Sequence, residues 1–180
     1  MLGRSWDGAG TGRRGVPAYA GRVNRFRARN TSEASLRSTQ DEVWKVLTDP
    51  TLLTELTPYL HRIDVDGDRW TWNLTHIPVM SATVAPTFTE VMTFDQPHRI
   101  TFAHDPERPE ERTGVDGEYR LRPEPNPDGT TGTHVAIDLE IWCDLPLPRL
   151  SRIPVETVMH GVVAAMGRRF AHNMLRHLGE

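Results

Sequence analysis

Three ionisable side chains fall in runs that otherwise alternate apolar and polar residues. Glu90 and His104 lie within TFTEVMTFDQPHRITFAHD, residues 87–105, and His76 follows RWTWNLT. A carboxyl beside an imidazole can transfer protons near neutral pH, or fix a hydroxyl or carbonyl of a bound molecule. Alternation puts Phe88, Glu90, Met92 and Phe94 on one face of the first run, and Ile100, Phe102 and His104 on one face of the second. Setting Phe94 opposite Ile100 in an antiparallel hairpin brings Met92 against Phe102 and Glu90 against His104. A one-residue slip would turn the two apolar sets to opposite sides of the sheet. Directly opposed Cβ atoms lie about 4.5–5.5 Å apart, within reach of a carboxylate–imidazole hydrogen bond. Trp70, Trp72, Leu74 and His76 share the same alternation, and matching their apolar side to Phe88 and Met92 predicts His76 within a residue or two of Glu90's row. Tyr119, in a later run with Val115 and Leu121, can add a hydroxyl.

The expectation is a polar cluster of Glu90, His104 and His76 on an apolar wall. An isolated buried carboxylate takes up a proton, whereas a nearby imidazolium favours its charge. The plainer alternative is that Glu and His near strand ends satisfy one another at the mouth of the sheet with no further role. Two imidazoles and a carboxylate suit zinc, but these three come from separate strands with no diagnostic spacing, so neither metal nor cofactor is expected. No Gly-rich phosphate loop, HExxH, GxSxG or CxxC pattern is present.

The elements that must position these groups follow from periodicity. A strand is expected over about 26–37. In STQDEVWKVLTDP, Thr39 and Glu42 have capping-box spacing, and Val43, Trp44, Val46 and Leu47 form a buried helical stripe. Asp49-Pro50 ends that helix and opens a short second one. Period-two runs then cover 61–66 and 69–77 about an Asp66-Gly67 hairpin signal, 87–94, 99–105, 115–122 and THVAIDLEIWCDL. IPVMSATVAP reads as a bend, bulge or edge because of its prolines. The acidic loop with Glu107, Glu110 and Glu111 reads as a solvated turn. Residues 151–178 form a long helix with Val155, Val158, Met159, Val162, Met166, Phe170 and Met174 on one stripe. Its Gly161, Ala164, Ala165 and Gly167 offer close packing, His160 points to solvent, and Gly179 suits the C-cap. An antiparallel sheet buries one face, and this helix is the main element to cover it, giving an α+β fold.

The 180 residues suit one domain, 26–180, behind a Gly/Arg-rich flexible tail, 1–25. A formal charge of −3 conceals +6 on the first 30 residues, seven Arg against Asp7. Such a tail is a solvated arm or a contact for an acidic partner. The overall balance gives no specific attraction to nucleic acid. Cys143 is the single cysteine, so no intramolecular disulfide is available, and its inward parity predicts a buried, inert thiol. With no apolar run long enough for a span and no signal-peptide pattern, a cytoplasmic protein, monomer or homodimer, is expected.

The order of strand, two short helices, antiparallel strands and long C-terminal helix resembles the helix-grip superfamily, which includes START-type lipid-transfer domains and polyketide cyclases/dehydrases. The resemblance rests on DEVWKVLTDPTLLTELTPYL, DVDGDRW, FDQPHRITF and WCDLPLPRLSRIPVETVMHGVVAAMGRRF, and covers roughly 26–178. It implies a curved sheet gripping the helix around a cavity for an apolar or amphipathic small molecule: a lipid, polyketide or aromatic metabolite. Trp72, Leu74, Met92, Phe102, Tyr119, Val162 and Met166 would then line the wall, with His76, Glu90 and His104 at the ligand's polar end. The alternatives are a polyketide cyclase-like enzyme, with Glu90 or His104 as base and Tyr119 assisting, and a protein-interaction or quinone-chaperone module.

Overall fold

The computed structural model describes residues 23–75, 77–79 and 82–180. Strand β1 (Asn24–Leu36) leads into helices α1 (Gln40–Thr48) and α2 (Pro50–Leu56). Then come β2 (Leu60–Asp66), β3 (Arg69–Leu74), β4 (Ile77–Val79), β5 (Ala82–Val84), β6 (Thr87–Asp95), β7 (Arg99–His104), β8 (Thr113–Pro125) and β9 (Thr131–Leu145). A 3-10 turn, Arg149–Ser151, precedes α3 (Arg152–Leu178). Seven strands form one antiparallel sheet in the order β1-β9-β8-β7-β6-β3-β2. The IPVMSATVAP segment does not extend it: β4 and β5 pair only with each other.

Local chemistry fixes the helix ends. The Thr39 hydroxyl accepts from the Glu42 N–H, and the Glu42 carboxylate accepts from the Thr39 N–H at 2.8 Å, completing a capping box. Asp49 serves two helices: its extended backbone stops α1, and its Oδ1 accepts from the N–H groups of Thr51 and Leu52 to open α2. At the end of α3, Gly179 takes φ 80°, a left-handed conformation that glycine reaches without strain. Gly67 does the same at 61° in the tight turn between β2 and β3.

The densely packed core sits at one end of the sheet. There Val43, Trp44, Val46 and Leu47 of α1 and Leu53 of α2 meet Leu36, Ile100, Leu121 and Val135, and Met174 of α3 joins them. Along α3 only Val155 and Met174 are fully buried. They stand nineteen residues apart, about 28 Å along the axis. Between them Val158, Met159, Val162, Met166 and Phe170 are only half-buried. The inward residues Trp72, Leu74, Tyr119, Leu139 and Ile141 of the sheet are half-buried too. The helix is therefore seated at both ends and loosely packed between. The small residues on α3 do not bring the backbone close to a neighbour: a Cβ added at Gly161 or Gly167 would meet nothing within 4 Å.

Replacing Thr39 by Ala removes the side-chain acceptor at the start of α1 and should cost about 1 kcal/mol. Urea unfolding read by tryptophan fluorescence should show a lower midpoint with an unchanged slope.

Candidate functional site

Glu90 lies in the middle strand of the row that crosses β3, β6 and β7. The register sets it directly opposite His104 on β7 and Trp70 on β3, with Met92 against Phe102 and Phe94 against Ile100. The backbone pairing of Glu90 with His104 is therefore as the hydrophobic pattern requires. The side chains nevertheless part. The imidazole of His104 packs edge-on against Trp142 at 4.9 Å between ring centroids, and its Nε2 lies 3.1 Å from Glu111. Trp142 belongs to the outer face, where Arg25 covers its ring at 3.6 Å. Glu111 accepts there from the N–H and hydroxyl of Thr89, whose side chain alternates away from Glu90.

The cause is local. The β7–β8 ladder ends at Phe102 and Gly117, and the His104 N–H instead donates to the Asp116 carboxylate at 3.0 Å. Gly114 then leaves room for the turned imidazole: a Cβ there would come within 2.8 Å of the His104 ring and would strike Trp142. Glu111 is the residue that the sequence pattern missed. It sits in a loop without periodicity, yet it closes the His104 and Thr89 network, with Thr71 bonded to Thr89 at 3.0 Å. His76, the third member of the expected cluster, lies outside the described residues. On β3 it is Trp70 that pairs with Glu90, and the strand ends at Leu74.

Inside the sheet, Glu90 is left with different company. It is 3% exposed and forms no ion pair among the described residues, and the Trp72 indole is its polar neighbour. Loss of water pushes its carboxyl well above the usual value of 4.5. The nearby Trp72 indole opposes that rise in part, and the negative Asp116 adds to it. Burial therefore favours the neutral form of Glu90, which can donate as well as accept a hydrogen bond. The Trp72 indole nitrogen is buried without a partner at proper hydrogen-bond distance and angle. Its ring lies parallel to Phe88, 6.4 Å between centroids. Tyr119, tilted against Phe102 at 6.0 Å, has a hydroxyl with no hydrogen bond among the described residues, and burial raises its pKa. Glu90, Trp72 and Tyr119 thus place three polar groups on the inner face of the sheet, with the Trp72 indole nitrogen buried and unpartnered.

The rest of the wall is apolar. Met92 and Phe102 are buried beside Glu90, while Leu74 on β3 and Val162 and Met166 on α3 are half-buried. Farther along, the Cys143 thiol donates to the Met159 sulfur at 3.5 Å, and burial pushes its pKa up to about 11, which keeps it protonated and unreactive. Among the described residues no three His, Cys, Asp or Glu side chains converge as metal ligands. Two other concavities lie away from this space. One of about 550 Å³ runs between α1 and the end of α3, by Lys45, Leu52 and His177. One of about 400 Å³ lies by Glu33, Glu118 and Asp138. Neither contains the unpaired polar groups.

An antiparallel sheet closed by one long helix, with a few polar groups on an apolar inner wall, defines the helix-grip class of START-like proteins. The chain belongs to the polyketide cyclase / dehydrase and lipid transport family, which matches residues 27–179. No curated protein sequence matches it. Among solved structures it is similar to the Zhui aromatase/cyclase from Streptomyces sp. R1128, with a TM-score of 0.58 and 12% identity over 84% of this chain and 93% of that one. It is also similar to a START superfamily protein from Mycobacterium smegmatis, with a TM-score of 0.55 and 10% identity over 83% and 95% of the two chains. A protein from Thermus thermophilus aligns with a TM-score of 0.57 and 18% identity over 83% and 98%. At these identities the likeness is one of fold. No helix among the described residues is long and apolar enough to cross a membrane.

The raised Glu90 pKa carries a stability consequence. Below the ordinary carboxyl pKa both folded and unfolded chains hold the proton. As pH rises from about 4.5 the unfolded chain releases it while the folded chain does not, so stability falls. Glu90→Gln removes this slope. Denaturation midpoints measured upward from about pH 4 should show the wild type losing ground to the variant once pH passes the ordinary carboxyl value. Parallel pH profiles would mean that Glu90 titrates normally.

Proposed function

We propose that the chain binds a hydrophobic or amphipathic small molecule, a lipid, polyketide or aromatic metabolite, between the sheet and α3. The observation that carries this reading is the buried, unpartnered Trp72 indole nitrogen beside the buried carboxyl of Glu90, with the Tyr119 hydroxyl on the same wall. A buried donor without a partner costs about 1–3 kcal/mol, a cost offset when a ligand supplies an acceptor to the Trp72 indole. Small-molecule sites have this composition, apolar with few convergent polar groups. The ligand favoured is neutral and presents acceptor oxygens, because no Lys, Arg or His joins these three groups on the described inner wall. Trp72 offers a stacking face, Met92, Phe102 and Leu74 the apolar floor, and Val162 and Met166 the roof.

Native mass spectrometry of gently purified protein should detect a retained apolar molecule. Met166→Trp fills the roof; overpacking of about 1–3 kcal/mol corresponds to about 5-fold to 150-fold weaker binding. Retention by that variant at wild-type level would remove the gap from consideration.

The second reading is a cyclase-like enzyme, which the family description includes. Here the neutral Glu90 favours a proton donor to a carbonyl over the base expected from the sequence, with Tyr119 as a second donor. His104, turned to the far side of the sheet, has no part in it. A poly-β-keto substrate should then turn over, and Glu90→Gln should lower the rate by about 10²–10⁴-fold with binding nearly intact. Equal turnover by that variant would leave the binding role alone standing.

A further inference from the structure

The seven-stranded sheet has two edges, and they differ. Along β1, carboxylates of α3 and its end reach the open side of the strand: Glu156 accepts from the Arg27 N–H at 3.2 Å, and Glu180 accepts from the Arg37 N–H at 2.9 Å just past Leu36. The opposite edge, β2, pairs with β3 alone among the described strands. Asp66 and Arg69 close the two-residue turn, so alternation gives Asp66, Asp64 and Arg62 the hydrogen bonds to β3. The N–H and C=O groups of Ile63 and Val65 are then directed away from the sheet.

Such an edge is a template for a further strand. On its inner face Ile63 is half-buried and Val65 is 49% exposed. On its outer face Arg62 and Asp64 are both more than half exposed and lie 2.9 Å apart, with Asn73 Nδ2 also donating to Asp64 at 2.9 Å. Opposite charges thus flank one aliphatic residue, which makes the segment complementary to itself.

An isologous contact repeats the same residues on both sides of its axis. An axis through Ile63 sets Ile63 against its counterpart and Arg62 opposite Asp64 of the second copy, twice. Those two are then a non-hydrogen-bonded pair with Cα atoms about 4.5 Å apart, the arrangement that brings side chains closest. An axis through Asp64 would oppose Asp64 to itself, and one through Val65 would oppose Asp64 to Asp66. Like charges so placed are destabilising. An axis between residues would turn the inner face of one copy to the outer side of the other. The irregularity between Leu60 and Arg62 keeps the paired stretch short.

We propose that two copies of this chain associate edge to edge through β2, antiparallel about Ile63, into one continuous sheet. Each Asp64 then meets Arg62 of the other copy. The contact occupies the edge on both sides, so assembly stops at two. It stands independently of the ligand-binding reading, since it uses none of the residues assigned to the ligand.

Sedimentation velocity of the full chain, from micromolar to sub-millimolar concentration, tests it. The wild type should pass from monomer to dimer as concentration rises. Arg62→Glu and Asp64→Arg should each raise the dissociation constant by about tenfold or more, because each sets two like-charged pairs across the axis. Circular dichroism of both variants should match the wild type, since both side chains are exposed. Combining the two substitutions restores opposite charges and should return the dimer to near wild-type strength. A monomer at every concentration overturns the proposal, as does a dimer indifferent to both single substitutions. A double variant no tighter than the single ones, or assembly beyond two copies, overturns it equally.

Discussion

Seven strands about 4.8 Å apart make a sheet roughly 29 Å across, whereas a helix with its side chains is about 10–12 Å wide. One helix cannot cover such a sheet by lying flat on it. Here α1 and α2 cover one end and α3 crosses the rest, touching down through Val155 and Met174. Burial is concentrated where three helices meet the sheet, and the middle of α3 contributes half-covered Val, Met and Phe side chains. The mismatch in width between sheet and helix is why the middle of the inner face is less fully covered than its ends, and the proposed binding role depends on that.

Burial in such a place favours the neutral acid, because desolvation penalises the charge and no cation on the described inner wall repays it. The same charge would be welcome on the outer face. Arg25, Arg27 and Arg29 of β1 pair there with Asp144, Glu140 and Asp138 of β9, and Arg69 pairs with Asp105. Opposite charges are thus spent in ladders on one side of the sheet, leaving the other side free for polar groups that act through hydrogen bonds. The basic character of the first 30 residues is partly absorbed by this pairing, which the amino-acid count alone does not reveal.

Strands with strict alternation were legible from sequence, and so was their register. Phe94, Met92 and Glu90 find Ile100, Phe102 and His104 because any other even register leaves apolar side chains unmatched. Helix ends were equally legible, since Thr39, Asp49 and Gly179 act through local geometry. The direction of the His104 side chain was not. It depends on where the β7–β8 ladder stops, on Gly114 beside it and on Glu111 from an irregular loop, none of which has a periodic signature. The register of β3 on β6 was not fixed by pattern either: apolar matching admits several even registers, and the one adopted pairs Trp70 with Glu90. Gly161 and Gly167 show the limit of composition, since small residues permit close approach without bringing a neighbour there.

The fastening of β6 lies on the side of the sheet away from Glu90. Thr89 is tied by its hydroxyl to Thr71 and Glu111, by its N–H to Glu111, and by its carbonyl to the Asp105 N–H. Sliding this strand by one position would bring a threonine or a valine inward and carry the acid out into water. The loop holding Glu111 therefore acts as an external rivet for an internal group. Sequence drift in that loop would alter the chemistry of the interior without changing any residue that a bound molecule touches.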